Sequence, residues 1–262
     1  MTDLRLKQLS IIESMDELRA IPEGKKLINT INAHSYNTAL KDSLFAEALM
    51  KGDALIPDGA SIVKACGWIK AKSRPKERIA GWDLFAYEME RINSRSLAEK
   101  RPVVMFLGSS EKVLSLIKEE ANYIFHNIEV VTYSPPYKPE FTAEENKAMV
   151  DAINATNPDL LWIGMTAPKQ EKWTYTHWKE LNIHCHVGTI GAVFDFFAGT
   201  AKRAPKWWQE HSLEWLYRLL IEPKRMWRRY IIGNTLFIWN IFTKGENNKI
   251  QLDYERNSIS RW

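Results

Sequence analysis

Cysteine is scarce in this chain: Cys66 and Cys185 are the only two among 262 residues. They have no metal-ligand spacing and cannot build a disulfide framework, so both are expected as reduced residues in or near a core. Long apolar runs are also missing. Tyr230–Thr243 is 14 residues without a charge and includes Gly233, Asn234 and Asn240, whereas a membrane-crossing helix takes about 20 apolar residues. The N-terminus carries Asp3, Arg5 and Lys7 and no signal-like apolar run, the pattern expected of a cytoplasmic protein. No Asp-x-Asp pair occurs, which counts against a metal-clamped nucleotide site. The three-glycine dinucleotide fingerprint and the Walker lysine are absent as well, which weakens an oxidoreductase or P-loop reading.

What the chain does contain is the composition of a folded globular protein, 45% hydrophobic and 26% charged. Short apolar runs at Leu27–Ile31, Ala54–Ile56, Val103–Leu107, Ile128–Thr132, Leu160–Ile163 and His184–Val187 read as strands. Helical patterns separate them, including Ser35–Met50, Trp82–Asn93 and Lys169–Leu181. Thr142 with Glu145 three residues later forms a capping box. Buried strands alternating with helices predict an α/β, Rossmann-like fold: a mainly parallel sheet with helices on both faces. The core is expected to span residues 1–200, as one unit or as two halves of about 1–100 and 101–200, with a helical appendage over 201–262.

The appendage is basic and rich in tryptophan. Between Lys202 and Arg229 eight basic residues face three acidic ones, a local net of +5 against +4 for the whole chain. Six of the 11 tryptophans lie between Trp207 and Trp262. His211–Ile221 and Pro223–Phe242 read as two helices, with Pro223 suited to the first helical position. Such a segment suits an anionic partner with an apolar neighbour; by physics alone a membrane surface and nucleic acid both qualify. Burial between subunits of a homo-oligomer is the alternative use of its apolar face.

In a parallel sheet, ligands collect at the carboxyl ends of strands. Thr30 and Asn32, Asp58-Gly59, Gly108-Ser109, Gly164 to Glu171 and Gly188 to Gly191 occupy those ends. Asp58 reads equally as a turn residue or as a general base facing a cleft. Gly108-Ser109-Ser110 suits either an ordinary turn or a phosphate cradle. Gln170 suits either a solvated helical turn or a contact to sugar or base. His184 and His186, alternating along one run, are better explained as structural hydrogen-bonding residues than as metal ligands. Arg218, Arg225 and Arg228 are spaced by seven and three and share a face only if the helix runs through Pro223. They would be either a solvated face or a clamp for a diphosphate.

In order, these stretches resemble the WecG/TagA/CpsF family of bacterial glycosyltransferases. The matching pieces are Thr30-Ile31-Asn32, Pro57-Asp58-Gly59, Glu77 to Gly81, Phe106-Leu107-Gly108, Pro168-Lys169-Gln170-Glu171, Ala198-Gly199, Arg203-Ala204-Pro205 and Leu213 to Arg218 running on to Glu222-Pro223-Lys224-Arg225. Met165-Thr166 and Trp82 depart from the residues usual there. The resemblance implies metal-independent, inverting transfer from a UDP-sugar to a polyprenyl-diphosphate-linked glycan, without a cofactor or nucleic acid. It implies Asp58 as the base and Thr30, Asn32, Arg78 and Gln170 in the pocket. Gly108, Ser109, Gly164 and Glu171 join them as candidate substrate-binding positions. Arg218, Arg225 and Arg228 would meet the lipid diphosphate, with the appendage peripheral at the cytoplasmic face of the bacterial inner membrane. The typical donor would carry N-acetylmannosamine or its uronic acid. A Rossmann-like oxidoreductase and a non-catalytic membrane module are the alternatives.

Overall fold

A computed structural model describes residues 4–95, 100–211 and 213–243, with the side chains of Glu210 and Arg225 outside that description. A short helix α1 (Met15–Arg19) precedes strand β1 (Lys26–Ile31). Helices α2 (Ala33–Ala39) and α3 (Ser43–Lys51) lead to β2 (Ala54–Pro57), then α4 (Ala60–Trp68) and α5 (Gly81–Asn93). Next come β3 (Val103–Gly108), α6 (Glu111–Ile124), β4 (Glu129–Tyr133), α7 (Ala143–Thr156) and β5 (Leu160–Gly164). They are followed by α8 (Lys169–His177), β6 (His186–Thr189) and α9 (Gly191–Phe197). The tail holds α10 (Lys206–Glu210), α11 (Glu214–Ile221), α12 (Pro223–Trp227) and a π-helical turn, Arg228–Ile232. Helix continues over 233–243.

The strands make one sheet in the order β2-β1-β6-β5-β3-β4, and every pairing is parallel. Side-chain alternation explains why the strand sequences are apolar throughout. On β3, Val104 and Phe106 enter a cluster with Phe85, Ile117 and Phe194. Met105 and Leu107 enter the opposite one with Met149, Ile153 and Trp173. A third cluster fills the space around α2, α3 and α4, and there Phe237 and Ile241 of the tail are buried. The Rossmann-like α/β expectation is met, and the C-terminal helix is present.

Several element boundaries differ from expectation for local reasons. Ser35–Met50 is two helices, because Asp42 accepts the Phe45 amide and caps a new helix. Asp42 is fixed from outside by Lys172 at 2.8 Å. The helix expected over Lys169–Leu181 ends at His177. The last strand is His186–Thr189, not His184–Val187, because its register is set by Lys26 and Leu160 on either side. His184 therefore lies outside it, while His186 bonds the Glu88 carboxylate at 2.9 Å and the Pro22 carbonyl at 3.0 Å. The Thr142 capping box forms as expected.

The strand ends are drawn together by missing side chains. A Cβ on Gly108 would sit 2.5 Å from the Gly164 carbonyl oxygen, and Gly108 has φ +117°. A Cβ on Gly164 would meet the Phe194 ring at 2.8 Å, and one on Gly188 would meet Trp162 at 2.2 Å. Asn29 is fully buried. It donates to the Ala48 carbonyl at 3.0 Å and accepts the Thr189 hydroxyl at 2.8 Å, joining α3, β1 and β6.

Candidate active site

The carboxyl ends of β1 and β2, the start of α4 and the tail enclose a cavity of about 420 Å³. Asn32 stands on its rim as the cap of α2, accepting the His34 and Ser35 amides at 3.0 Å each. Asp58 is the residue after β2, and its amide still donates to Ile31 at 2.9 Å, carrying the ladder one position past the strand. Gly59 then opens α4, and its space is closed by Asn32 at 3.4 Å. Asp58 is thus held rigidly at a strand end, with its carboxylate on the cavity wall.

Arg78 comes from the segment before α5. The Ile79 amide donates to the Pro57 carbonyl at 3.1 Å and pins that segment beside β2. Its Nη2 lies 3.9 Å from Asp58 Oδ1 and 2.8 Å from Glu214 Oε2 of α11. Glu214 also takes Arg218 at 3.3 Å. The side chains are 29%, 20% and 12% exposed for Asp58, Arg78 and Glu214, so water screens them only partly. Burial pushes the Asp58 carboxyl up to about 6; Arg78 pulls it down, Glu214 raises it, and Arg218 and Arg229 pull it down.

The tail arginines do not share one destination. Arg218 lines the cavity and lies over the Phe196 ring at 4.8 Å. Arg228 is exposed and lies over Trp227 at 5.4 Å, whereas Arg229 lines the cavity. The π-helical turn at Arg228–Ile232 changes the helical phase here, so simple α-helical spacing cannot assign the inward residue. Arg229 Nε is buried and has no hydrogen-bond partner, which leaves a donor available to an anionic ligand. The side chain of Arg225 lies outside the described residues.

The other expected positions are elsewhere. Thr30 is half-buried within β1 and, with Gly108, Ser109, Gly164, Gln170 and Glu171, is not among the residues lining this cavity. The Gln170 side chain is buried and committed at both ends: it donates to Glu171 at 2.9 Å and accepts the Gly191 amide at 3.2 Å. It therefore ties the loop after β5 to the loop after β6. Burial pushes the Glu171 carboxyl up to about 7, and its Oε2 has no partner. Gly164 packs against Phe194, and Ser109, at φ +65°, uses its carbonyl to receive the Ser134 hydroxyl. Sequence spacing missed Glu214 and Arg229. The one available signal was Glu214's place inside the Leu213–Arg218 stretch.

A model of the Glycosyl transferase WecG/TagA/CpsF family matches residues 1–250. The chain belongs to this family. It is similar to an N-acetylglucosaminyldiphosphoundecaprenol N-acetyl-beta-D-mannosaminyltransferase of Bacillus spizizenii, 30% identical over 205 residues, or 78% of this chain and 74% of that protein. A protein of the same description from Bacillus subtilis is 27% identical over 205 residues, covering 78% of this chain and 75% of its own length. Membership of the WecG/TagA/CpsF family makes the chain a glycosyltransferase of envelope polysaccharide synthesis and removes the oxidoreductase and non-catalytic alternatives.

Proposed function

We propose that the protein transfers N-acetylmannosamine, or a closely related sugar, from a UDP-sugar to N-acetylglucosamine on undecaprenyl diphosphate, with inversion and without a metal. The observation that carries this reading is the Asp58 carboxylate facing a cavity that also receives Arg78, Arg218 and Arg229, with Glu214 as the second acid on its wall. The names of the two relatives supply the acceptor and the transferred sugar.

A base must be ionised at working pH yet hold a proton readily, and a carboxyl pushed up to about 6 meets both needs. Asp58 takes the proton of the acceptor hydroxyl as its oxygen attacks the anomeric carbon. The bond from that carbon to the UDP oxygen breaks, and its electron pair leaves on the diphosphate. Guanidinium groups from Arg218 and Arg229 neutralise the departing charge, the role a metal would otherwise fill. Among the described lining residues the only other carboxylate is Glu214, and it is occupied by two arginines. One free carboxylate suits a single displacement, hence inversion; a double displacement needs a second nucleophile.

The tail supports work at a membrane surface. Its inner side buries Met226, Phe237 and Ile241, while Trp227, Ile231, Ile238, Trp239 and Phe242 are exposed. No described helix is long and apolar enough to cross a membrane. We place this face on the cytoplasmic side of the bacterial inner membrane, where the tail would meet the lipid-linked acceptor. The deciding experiment is Asp58→Asn, assayed with UDP-N-acetylmannosamine and a lipid-diphosphate N-acetylglucosamine acceptor. Transfer is expected to fall about 10²–10⁴-fold while UDP affinity stays within about threefold. Turnover near that of the unaltered enzyme would remove Asp58 as the base.

A further inference from the structure

Glu214 runs against the charge logic of its surroundings. A cavity that receives anionic diphosphates gains nothing from a fixed carboxylate, yet Glu214 is the only acid that the described tail places on its wall. Its two oxygens are divided: Oε2 takes Arg78 at 2.8 Å and Oε1 takes Arg218 at 3.3 Å. As a result Arg78 stands 3.9 Å from Asp58, beyond hydrogen-bond reach.

That separation matters to the base. A guanidinium bonded directly to an aspartate stabilises its charged form and makes it a poor proton acceptor. We propose that Glu214 is a positioning residue for the base: it holds Arg78 back from Asp58 and ties it to Arg218, so that docking of the tail readies the catalytic carboxylate. The inference rests on the reading of Asp58 as the base. Electrostatics agree in direction, since Glu214 raises the Asp58 pKa while Arg78, Arg218 and Arg229 lower it. Arg203 also interacts with Asp58, Asp83 acts on Arg78 from outside the cavity, and His34, Lys64, His211 and Tyr230 are the remaining titratable groups on the wall. On the described wall, Glu214 alone adds negative charge beside Asp58.

The test uses the full chain and two variants, Glu214→Gln, which keeps the shape and removes the charge, and Glu214→Asp, which keeps the charge. Rates with UDP-N-acetylmannosamine and the lipid-linked acceptor are measured across pH, together with a carbon-13 NMR titration of the Asp58 carboxyl. In Glu214→Gln the acid limb of kcat/KM and the Asp58 titration are expected to move down together by about one pH unit, with plateau kcat lowered about three- to tenfold by the weaker base. In Glu214→Asp both should stay within about 0.3 unit of the unaltered protein. An unmoved limb and titration in Glu214→Gln, or equal movement in both variants, overturns the inference. The NMR arm reads Asp58 whether or not it is catalytic. Full activity in Asp58→Asn would therefore defeat the base assignment, whereas a silent Glu214→Gln titration would defeat only the role of Glu214.

Discussion

Replacing Asp58 by asparagine removes a charge that the fold holds at a cost. The carboxyl rises from its ordinary 3.8 to about 6 in the folded protein. At 1.36 kcal/mol per pH unit, the ionised form destabilises the native state by about 3 kcal/mol at neutral pH. Below about pH 4 the group is protonated in both folded and unfolded chains, and the penalty vanishes. It grows as pH rises from about 4 to about 6 and is complete above that, because the folded state is then forced to give up a proton it binds more tightly. Asparagine keeps the volume without the charge, and Arg78 retains Glu214 at 2.8 Å. The variant is therefore expected to be more stable than the unaltered protein at pH 7.5 by about 3 kcal/mol. For a chain of this size that is a Tm increase of about 6–10 °C. Between pH 5 and pH 7.5 the advantage should widen by about 1.4 kcal/mol. Thermal melts of both proteins at the two pH values read this directly. An advantage that stays flat or reverses with rising pH would refute a raised pKa at Asp58, and with it the tuning of the proposed base.

Gly108→Ala puts a Cβ 2.5 Å from the Gly164 carbonyl at φ +117°, and denaturant unfolding should show a loss of at least about 2 kcal/mol. Replacing Trp227 and Trp239 by alanine should reduce binding to anionic vesicles at least about tenfold, read by co-sedimentation, with melting little changed because both are exposed. Transfer should survive excess EDTA, since the proposed mechanism gives the leaving-group charge to Arg218 and Arg229 on the cavity wall; loss restored by magnesium or manganese would contradict it.

The sheet was legible because burial on both faces forces uninterrupted apolar runs, as on β3 and β5. Boundaries set by partners were not. Asp42 splits the expected long helix by capping Phe45, and β6 starts at His186 because β1 and β5 fix its register. At the site, Asp58's place after a strand suited a turn as well as a base, and the family resemblance named it with Asn32, Arg78 and Arg218, which do line the cavity; Glu214 and Arg229 were not named. Glu214 meets Arg78 from 136 positions away, a contact that no local spacing encodes. Arg229, not Arg228, reaches the cavity because a π-helical turn breaks the periodicity by which arginines were counted. Gln170 carries a motif signature yet spends both ends of its amide on neighbouring loops.

The glycine contacts at the strand ends have a consequence for how variation in this protein should be interpreted. Gly108 abuts Gly164, Gly164 abuts Phe194, and Gly188 abuts Trp162, with no space for a single methyl at any of them. None of the three glycines lines the Asp58 cavity. A library of random variants scored by survival would still mark them as intolerant, alongside the proposed base, Asp58. Fitness alone would then draw a map of the site that includes its scaffolding. Separating the two takes a score for protein abundance beside the score for sugar transfer: the glycines should lose both, and Asp58 only the second.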